Sequence, residues 1–172
     1  MSLIDTILKR RSVRTYTDEE IPEEKLEKIV QAGLLAPTSR NRKPCEFYVV
    51  KDKEILEKLS KSKSSGSAML KNANCAIVVF ADSEKADTWI EDSSIALAYM
   101  DLMANELDVG SCWCQSHLRF SEDNEKSEGV IRKIFSKDDQ YRVVGILSLG
   151  IADNKPESHK LSEIDESKVS YF

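Results

Sequence analysis

The segment that most constrains the fold is the unbroken apolar run Cys75–Ala81, whose sequence is CAIVVFA. A strand that is apolar at every position, and not only at alternate positions, is typical of burial on both faces. The run therefore predicts the central strand of a sheet. A chain of 172 residues is long enough to bury such a core within one domain.

Other segments predict the rest of this core. Tyr141–Gly150 is a second strong strand, and Glu46–Val50 and Ser111–Cys114 are shorter strand candidates. A long helix capped by Asp87 is apolar over most of its circumference, which indicates burial inside the protein or in a subunit interface. The order of elements and the even composition favour a single domain over residues 1–172, an α+β or α/β sandwich around a central sheet.

The two ends of the chain differ in their patterns. Ser2 and Asp5 form a capping-box pattern before a short apolar helix that ends at a cluster of arginines. The tail from Ile151 to Phe172 has few consecutive apolar residues, so we expect it to be ordered only where it docks on something.

Composition argues against several kinds of partner. The formal net charge is −5, so nucleic acid is not an expected ligand. No apolar run approaches the roughly 20 residues that cross a bilayer, and the first residues lack the order of a signal peptide. Four scattered cysteines favour a reducing, cytoplasmic setting, and with two histidines the ligand count does not favour a metal site.

The segment Arg10–Arg14, with the sequence RRSVR, is the strongest candidate for ligand binding. Arginine presents a rigid fork of donors that matches phosphate geometry, often in a bidentate manner. The segment is either a phosphate clamp or a solvated basic end of the first helix, where positive charge favours the helix dipole.

The remaining candidates leave alternatives open. The polar loop Pro37–Pro44 can line the edge of a ring-shaped ligand, although its residue types are also those of an ordinary turn. Cys112 and Cys114 lie on the same face if their segment is a strand. They are either reactive thiols or inert buried thiols. No familiar catalytic signature is present, so the protein is either a binder or an enzyme whose cofactor carries the reaction.

Taken in order, these segments resemble the nitroreductase family of flavoprotein oxidoreductases. The resemblance spans nearly the whole chain and depends on the ordered set of motifs. The matching segments are RRSVRTY at Arg10–Tyr16, APTSRNRKP at Ala36–Pro44, CAIVVFAD at Cys75–Asp82, WIEDSSIA at Trp89–Ala96, VGSCWC at Val109–Cys114 and the strand Val143–Gly150.

The resemblance implies an α+β fold on a mixed sheet and an intertwined homodimer, with FMN bound at the dimer interface. It assigns the FMN phosphate and ribityl chain to the first segment and to a lysine in a tail that wraps the partner subunit. The residues implied there are Arg10, Arg11, Ser12, Arg14 and Lys160.

The resemblance also assigns contacts to the flavin ring. A backbone N–H near Trp113 is expected to reach the flavin N5, and one loop is expected to come from the other subunit. The residues implied are Thr38, Ser39 and Asn41 in that loop, Trp113, Cys114 and Gln115 beside the ring, and Ser65 and Ser67 near its pyrimidine edge.

Three positions depart from the family pattern. Lys43 replaces the loop glutamine, Ser162 replaces an arginine of the tail, and Cys114-Gln115-Ser116 lacks the usual glycine. The implied activity is a ping-pong reduction of nitroaromatic, quinone or similar small acceptors by NADH or NADPH through FMN, without an obligate side-chain acid or base. The alternatives are an FMN-binding module or flavin chaperone, or another flavin reaction such as reductive dehalogenation.

Overall fold

A four-stranded sheet lies at the centre of the computed structural model, which describes residues 2–172. Its strands, in the spatial order β1-β2-β4-β3, are β1 (Cys45–Val50), β2 (Cys75–Asp82), β3 (Gly110–Gln115) and β4 (Tyr141–Gly150). The α+β class is confirmed. The four strands do not form the expected mixed sheet, because β4 lies between β2 and β3 and runs opposite to both, as β1 does to β2.

Residues 2–172 contain five α-helices, four of which cover the two faces of this sheet. They are α1 (Leu3–Lys9), α2 (Glu23–Leu34), α3 (Lys53–Ser60), α4 (Trp89–Glu106) and α5 (Ser127–Phe135). Side chains of a strand alternate between faces, so β2 supplies two cores at once. Ile77 and Val79 pack with residues of α2 and α4, whereas Val78 and Phe80 pack with residues of α3 and α5. Burial of β2 on both faces is thus confirmed.

The helix starts confirm one capping prediction and correct another. Ser2 and Asp5 form the expected reciprocal capping box on α1. Asp87 does not cap α4: the N-cap residue is Thr88, and the Asp87 carboxylate lies 3.4 Å from the Arg42 guanidinium. The capping prediction considered only residues that are neighbours in sequence, whereas the Asp87 carboxylate pairs with a cation from a distant loop. Among the helices of residues 2–172, none is long and apolar enough to cross a membrane.

The C-terminal tail lies outside both cores. Every residue from Asp153 to Phe172 is exposed, and the tail contains two short 3₁₀ turns, Leu161–Glu163 and Glu166–Lys168. It is attached to the rest of the chain by backbone hydrogen bonds, from Asp153 N–H to the Thr15 carbonyl (3.1 Å) and from His159 N–H to the Leu8 carbonyl (2.8 Å). The first part of the tail therefore follows α1 and the arginines.

Candidate functional site

β3 is an edge strand of the sheet, and the edge that faces away from β4 presents backbone N–H and C=O groups to other segments of the chain. The Ser111 carbonyl accepts from Val13 N–H (2.8 Å), and the Gln115 carbonyl accepts from the Lys63 ammonium (3.0 Å). A residue of a strand directs its N–H and C=O to the same side, and successive residues alternate. Trp113 and Gln115 therefore direct their N–H groups to this edge, whereas Cys114 directs its own to β4.

The arginine segment Arg10–Arg14 lies along this edge. Arg10 caps α1 by donating its N–H to the Thr6 carbonyl (3.0 Å), and Ser12 then forms a parallel bridge with Ser111. The approach is close because a glycine lies opposite: a Cβ on Gly110 would be 2.9 Å from Val13 Cγ1. The segment is thus packed against the sheet and is not a freely solvated helix end.

The three guanidinium groups of this segment have different surroundings. Arg10 lies 3.6 Å from a carboxylate oxygen of Asp101, whose other oxygen accepts a hydrogen bond from the Ser111 hydroxyl. Arg11 turns toward the tail and donates to the Glu157 carbonyl. Arg14 is exposed, and its positive charge lowers the pKa of the Cys112 thiol in β3. Two of the three guanidinium groups therefore have a partner within the chain.

Cys112 and Cys114 lie on one face of β3, as predicted, and both are buried. The pKa of Cys112 is lowered to about 7 by a hydrogen bond with Cys114, by the charge of Arg14 and by a hydrogen bond with Ser12. Together these outweigh burial, which acts to raise it. The same hydrogen bond and burial raise the pKa of Cys114, whose sulfur also lies 3.3 Å from that of Met69. Within residues 2–172, no group of three or more His, Cys, Asp or Glu side chains is arranged to hold a metal ion.

The loop Lys61–Ser67 brings a further cation to the edge of β3. Lys63 is partly buried, which lowers its pKa, and its ammonium donates to the Gln115 carbonyl. Ser65 is exposed, but the Ser67 hydroxyl donates to the Ser60 carbonyl (2.7 Å) and so closes the loop. Sequence reasoning missed Lys63, since a lysine within a polar loop gives no signal of burial.

The C-terminal end of β3, where ring contacts are predicted, is held by side-chain hydrogen bonds. Trp113 donates its indole N–H to Gln115 Oε1 (3.0 Å), and Gln115 donates its amide N–H to the His117 carbonyl (3.3 Å). The indole lies over Gly145 of β4, where an added Cβ would be 2.6 Å from Trp113 Nε1. The orientation of both predicted ring-contact side chains is thereby defined.

The loop Pro37–Pro44 contains the 3₁₀ turn Ser39–Asn41, and this geometry is compatible with either interpretation of the loop. The backbone is left-handed at Arg40, Asn41 and Lys43, with φ of 51°, 55° and 47°. The Thr38 hydroxyl accepts from Lys43 N–H (3.0 Å). A departure from the family pattern, Lys43, thus lies at one of the strained positions of the turn.

The turn and the arginine segment are attached to different parts of α4. Ser39 N–H donates to the buried Asp92 carboxylate (3.0 Å), whereas Arg10 lies beside Asp101. Nine residues separate the two carboxylates, which corresponds to about 14 Å along the helix. One chain therefore holds these two parts of the predicted site apart.

The tail brings the last predicted residue to the arginines of its own chain. The His159 N–H bond to the end of α1 places the exposed Lys160 beside the start of the arginine segment. The Lys160 backbone N–H donates to Glu163 Oε1 (3.1 Å). The structure thus places the arginine segment along the edge of β3 and the backbone of Lys160 next to the end of α1 that precedes this segment.

Comparisons with known proteins show to which family the chain belongs. The model of the family described as "Nitroreductase family" matches residues 7–67 and 62–151. A protein of Archaeoglobus fulgidus with the provisional name NADH dehydrogenase/NAD(P)H nitroreductase is 34% identical over 161 residues, covering 91% of this chain and 89% of the relative.

Solved structures give the same result. An FMN-dependent nitroreductase from Clostridium difficile R20291 is 44% identical, with a TM-score of 0.95 and coverage of 98% of both chains. A Parabacteroides distasonis protein, provisionally an NADH dehydrogenase/NAD(P)H nitroreductase, is 28% identical, with a TM-score of 0.88 over 98% of this chain and 96% of its own. The match of the family model and the likeness of these whole chains show that this chain belongs to the nitroreductase family.

Proposed function

We propose that this protein is an NAD(P)H-dependent FMN oxidoreductase that reduces nitroaromatic, quinone or similar small acceptors by a ping-pong mechanism. The observation that carries the proposal is the arginine segment packed along the edge of β3, where backbone N–H groups are presented. Family membership and the names of the relatives support it. Four cysteines without disulfide partners support a cytoplasmic location as part of the same proposal.

The residues present fit FMN in their chemistry. A phosphate needs charge-assisted donors, which Arg10, Arg14 and Lys160 supply, with the Ser12 hydroxyl between them. A flat heteroaromatic ring needs hydrogen-bond donors at its edge and a close approach to the backbone. The N–H groups that Trp113 and its neighbour Gln115 direct outward meet that need.

When bound, FMN supplies the redox chemistry, since it accepts a hydride from NADH or NADPH and returns electrons to the acceptor. The protein binds and orients. Arg10 and Arg14 offset the phosphate charge, while the partly buried Lys63 adds positive charge at the ring end. The edge N–H groups of Trp113 and Gln115 hold the ring in place, and such preorganised donors act without reorganisation during the reaction.

We also propose that the active form is a homodimer that completes the site. α1 and α4 expose apolar side chains on one surface, among them Leu3, Ile4 and Tyr99, which are 68%, 50% and 44% exposed. A cavity of about 510 Å³ between α1, α2 and α4 continues this surface. A second copy that covers it would also bring its own Ser39 turn toward the arginine segment, which one chain holds apart from that turn.

One set of measurements tests the proposal. We expect the purified protein to show flavin absorbance, or to gain it on incubation with FMN, and to oxidise NADH or NADPH with menadione as acceptor. A colourless protein that FMN does not change would reject the proposal. Bound FMN without turnover would support the flavin-binding module, and product analysis would reveal a different flavin reaction such as dehalogenation.

Native mass spectrometry tests the assembly in the same sample. The expected mass is that of two chains with FMN bound. A monomer at micromolar concentration in a sedimentation experiment would contradict both the dimer and the shared site.

A further inference from the structure

The loop Pro37–Pro44 carries positive charge to which the proposed function gives no role. Arg40, Arg42 and Lys43 lie within four consecutive residues, and the loop contains no aspartate or glutamate. The whole chain has a formal net charge of −5, so this loop is a local basic site on an acidic protein. A local excess of cations raises the concentration of anionic ligands beside it.

The three cations of this loop differ in whether they have a partner within the chain. The Arg42 guanidinium lies 3.4 Å from the Asp87 carboxylate and donates to the Lys85 carbonyl, also at 3.4 Å. Arg40 and Lys43 are exposed, and their side chains have no hydrogen-bond or ion-pair partner among residues 2–172. Two cations of the loop are therefore available to a ligand, whereas the third is paired.

The backbone that carries these two free cations is held in place by hydrogen bonds. Arg40 and Lys43 are both left-handed, with φ of 51° and 47°. The Lys43 carbonyl accepts from the Lys85 ammonium (3.1 Å), and the N–H of Ser39, the residue before Arg40, donates to the buried Asp92 carboxylate (3.0 Å). The loop thus presents both charges from a preorganised backbone, which reduces the ordering cost of binding.

The proposed homodimer brings this loop of one subunit to the FMN site of the other. There the FMN phosphate already has charged partners, since Arg10 and Arg14 come from the arginine segment of that second subunit. A nicotinamide that gives its hydride to the flavin lies on the ring, and its phosphates then lie at the rim of the site. The charges of the loop are thus not needed by FMN and suit the cosubstrate.

We propose that the loop Pro37–Pro44 of one subunit binds the phosphates of NADH or NADPH at the FMN site of the other subunit, with Arg40 and Lys43 as the contacting cations. This phosphate subsite rests on the proposed function, because it requires both FMN and the dimer. Both cosubstrates carry a pyrophosphate, and NADPH carries a further phosphate on its adenosine ribose. Arginine contacts a phosphate through its fork of donors, and lysine contacts it as a point charge.

Steady-state oxidation of NADH and NADPH by the FMN-loaded protein, with menadione as acceptor, tests the phosphate subsite. We expect Arg40→Gln and Lys43→Gln each to lower kcat/KM for the cosubstrate by about three- to tenfold, mainly through KM. Arg42→Gln is the matched control in the same loop. Because its guanidinium is paired with Asp87, this control should change kcat/KM by less than about twofold.

A hydride donor without phosphates separates the phosphate subsite from a general effect of the loop. N-benzyl-dihydronicotinamide has the reactive ring of NADH and no phosphate, so its kcat/KM should be equal in the wild type and in both variants. An equal loss with this donor and with NADPH would overturn the subsite. A loss with NADPH alone would identify the ribose phosphate as the contact, and an equal loss with NADH would identify the pyrophosphate.

Ionic strength tests the subsite in the wild type, without any variant. Its kcat/KM for NADPH should fall as salt rises from about 0.01 to 0.15 M, because screening weakens exposed charges. A value that salt does not change would overturn the subsite.

FMN affinity distinguishes failure of the subsite from failure of the proposed function. Flavin fluorescence titration should give the same FMN affinity in the wild type, Arg40→Gln and Lys43→Gln. A several-fold weaker affinity in both variants would assign these cations to FMN and overturn the subsite. A wild type that binds no FMN, or oxidises neither cosubstrate, would overturn the proposed function and the subsite with it. Normal wild-type turnover with unchanged kinetics in both variants would overturn the subsite alone.

Discussion

Two carboxylates on α4, nine residues apart, attach the two parts of the proposed site in different ways. Asp101, with a side chain 13% exposed, lies beside the Arg10 guanidinium and accepts from the Ser111 hydroxyl. Asp92 is 2% exposed and accepts from the Ser39 backbone N–H and, at 3.2 Å, from the Thr88 hydroxyl. Asp101 therefore interacts with two side chains, one of which is a charged guanidinium. Asp92 instead accepts from the backbone of the turn and from one hydroxyl.

This difference predicts different consequences of losing each anchor. A guanidinium near Asp101 can exchange its partner for a phosphate, since both offer anionic oxygens. The Ser39 N–H has a single direction and is fixed by the turn that it belongs to. Changes around Asp101 should thus affect ligand affinity and pH dependence, and changes around Asp92 should affect the stability of the fold.

The largest effect is expected for Arg10→Ala, measured by FMN titration. Loss of a charge-assisted partner should weaken binding by about 2–3 kcal/mol, or roughly 30- to 150-fold. Arg11→Ala is the matched control, because its guanidinium turns to the Glu157 carbonyl and its removal should cost less. Equal losses in the two variants would show that the structure does not distinguish the two arginines in this role.

Asp92→Ala should destabilise the fold by about 1–3 kcal/mol in urea unfolding, because it leaves the Ser39 N–H and the Thr88 hydroxyl without their acceptor. Asp92→Asn retains one carbonyl oxygen and should lose less stability. If Asp92→Ala unfolded at the same urea concentration as the wild type, the turn would not depend on this anchor.

Asp101→Asn should change stability by less than about 1 kcal/mol at neutral pH, since the amide oxygen can still accept from Ser111. Its signature is in the pH dependence. Burial raises the pKa of Asp101 above 3.8, the ordinary value of an aspartate. The carboxyl group therefore keeps its proton to a higher pH in the folded state than in the unfolded chain.

The Asp101 contribution to stability is therefore largest at acid pH and falls as the pH rises from 3.8 through the folded pKa. Urea unfolding of both proteins between about pH 4 and 7 measures this difference. A wild-type curve parallel to that of Asp101→Asn would contradict the assigned direction.

The smallest effect is expected for Asp87→Ala, an exposed counterpart of the two anchors. Its carboxylate side chain is 88% exposed and lies 3.4 Å from Arg42. Exposed pairs of this kind are worth little, so the unfolding free energy should change by no more than about 0.5 kcal/mol. If Asp87→Ala lowered the unfolding free energy as much as Asp92→Ala does, burial would not account for the different contributions of these carboxylates to stability.

The strands were predictable because their signals are local and strong. β4 has the bounds expected from sequence, Tyr141–Gly150, and β2 extends the expected run by one residue, to Asp82. The arginine segment was recognisable from residue types that suit phosphate. The start of α4 was not, because the Asp87 side chain found a distant partner in Arg42.

Lys63, Asp92 and Asp101 carry no local signal of their positions in the site. Each is a charged residue in a polar loop or on a helix, where charged residues are ordinarily solvated. Their importance comes from partners far along the chain, since Lys63 contacts Gln115, Asp92 contacts Ser39, and Asp101 lies beside Arg10. Sequence reasoning about neighbouring residues cannot supply such contacts.

By itself, the sequence determined the elements, the two-sided burial of β2 and the family resemblance, because apolar periodicity and motif order are properties of the chain. Tertiary structure decided the antiparallel sheet, the open edge of β3 and the separation of the turn from the arginine segment along α4. It also decided that His117 faces a buried carboxylate. These depend on which distant residues meet, and that is set by the packing of the helices on the sheet.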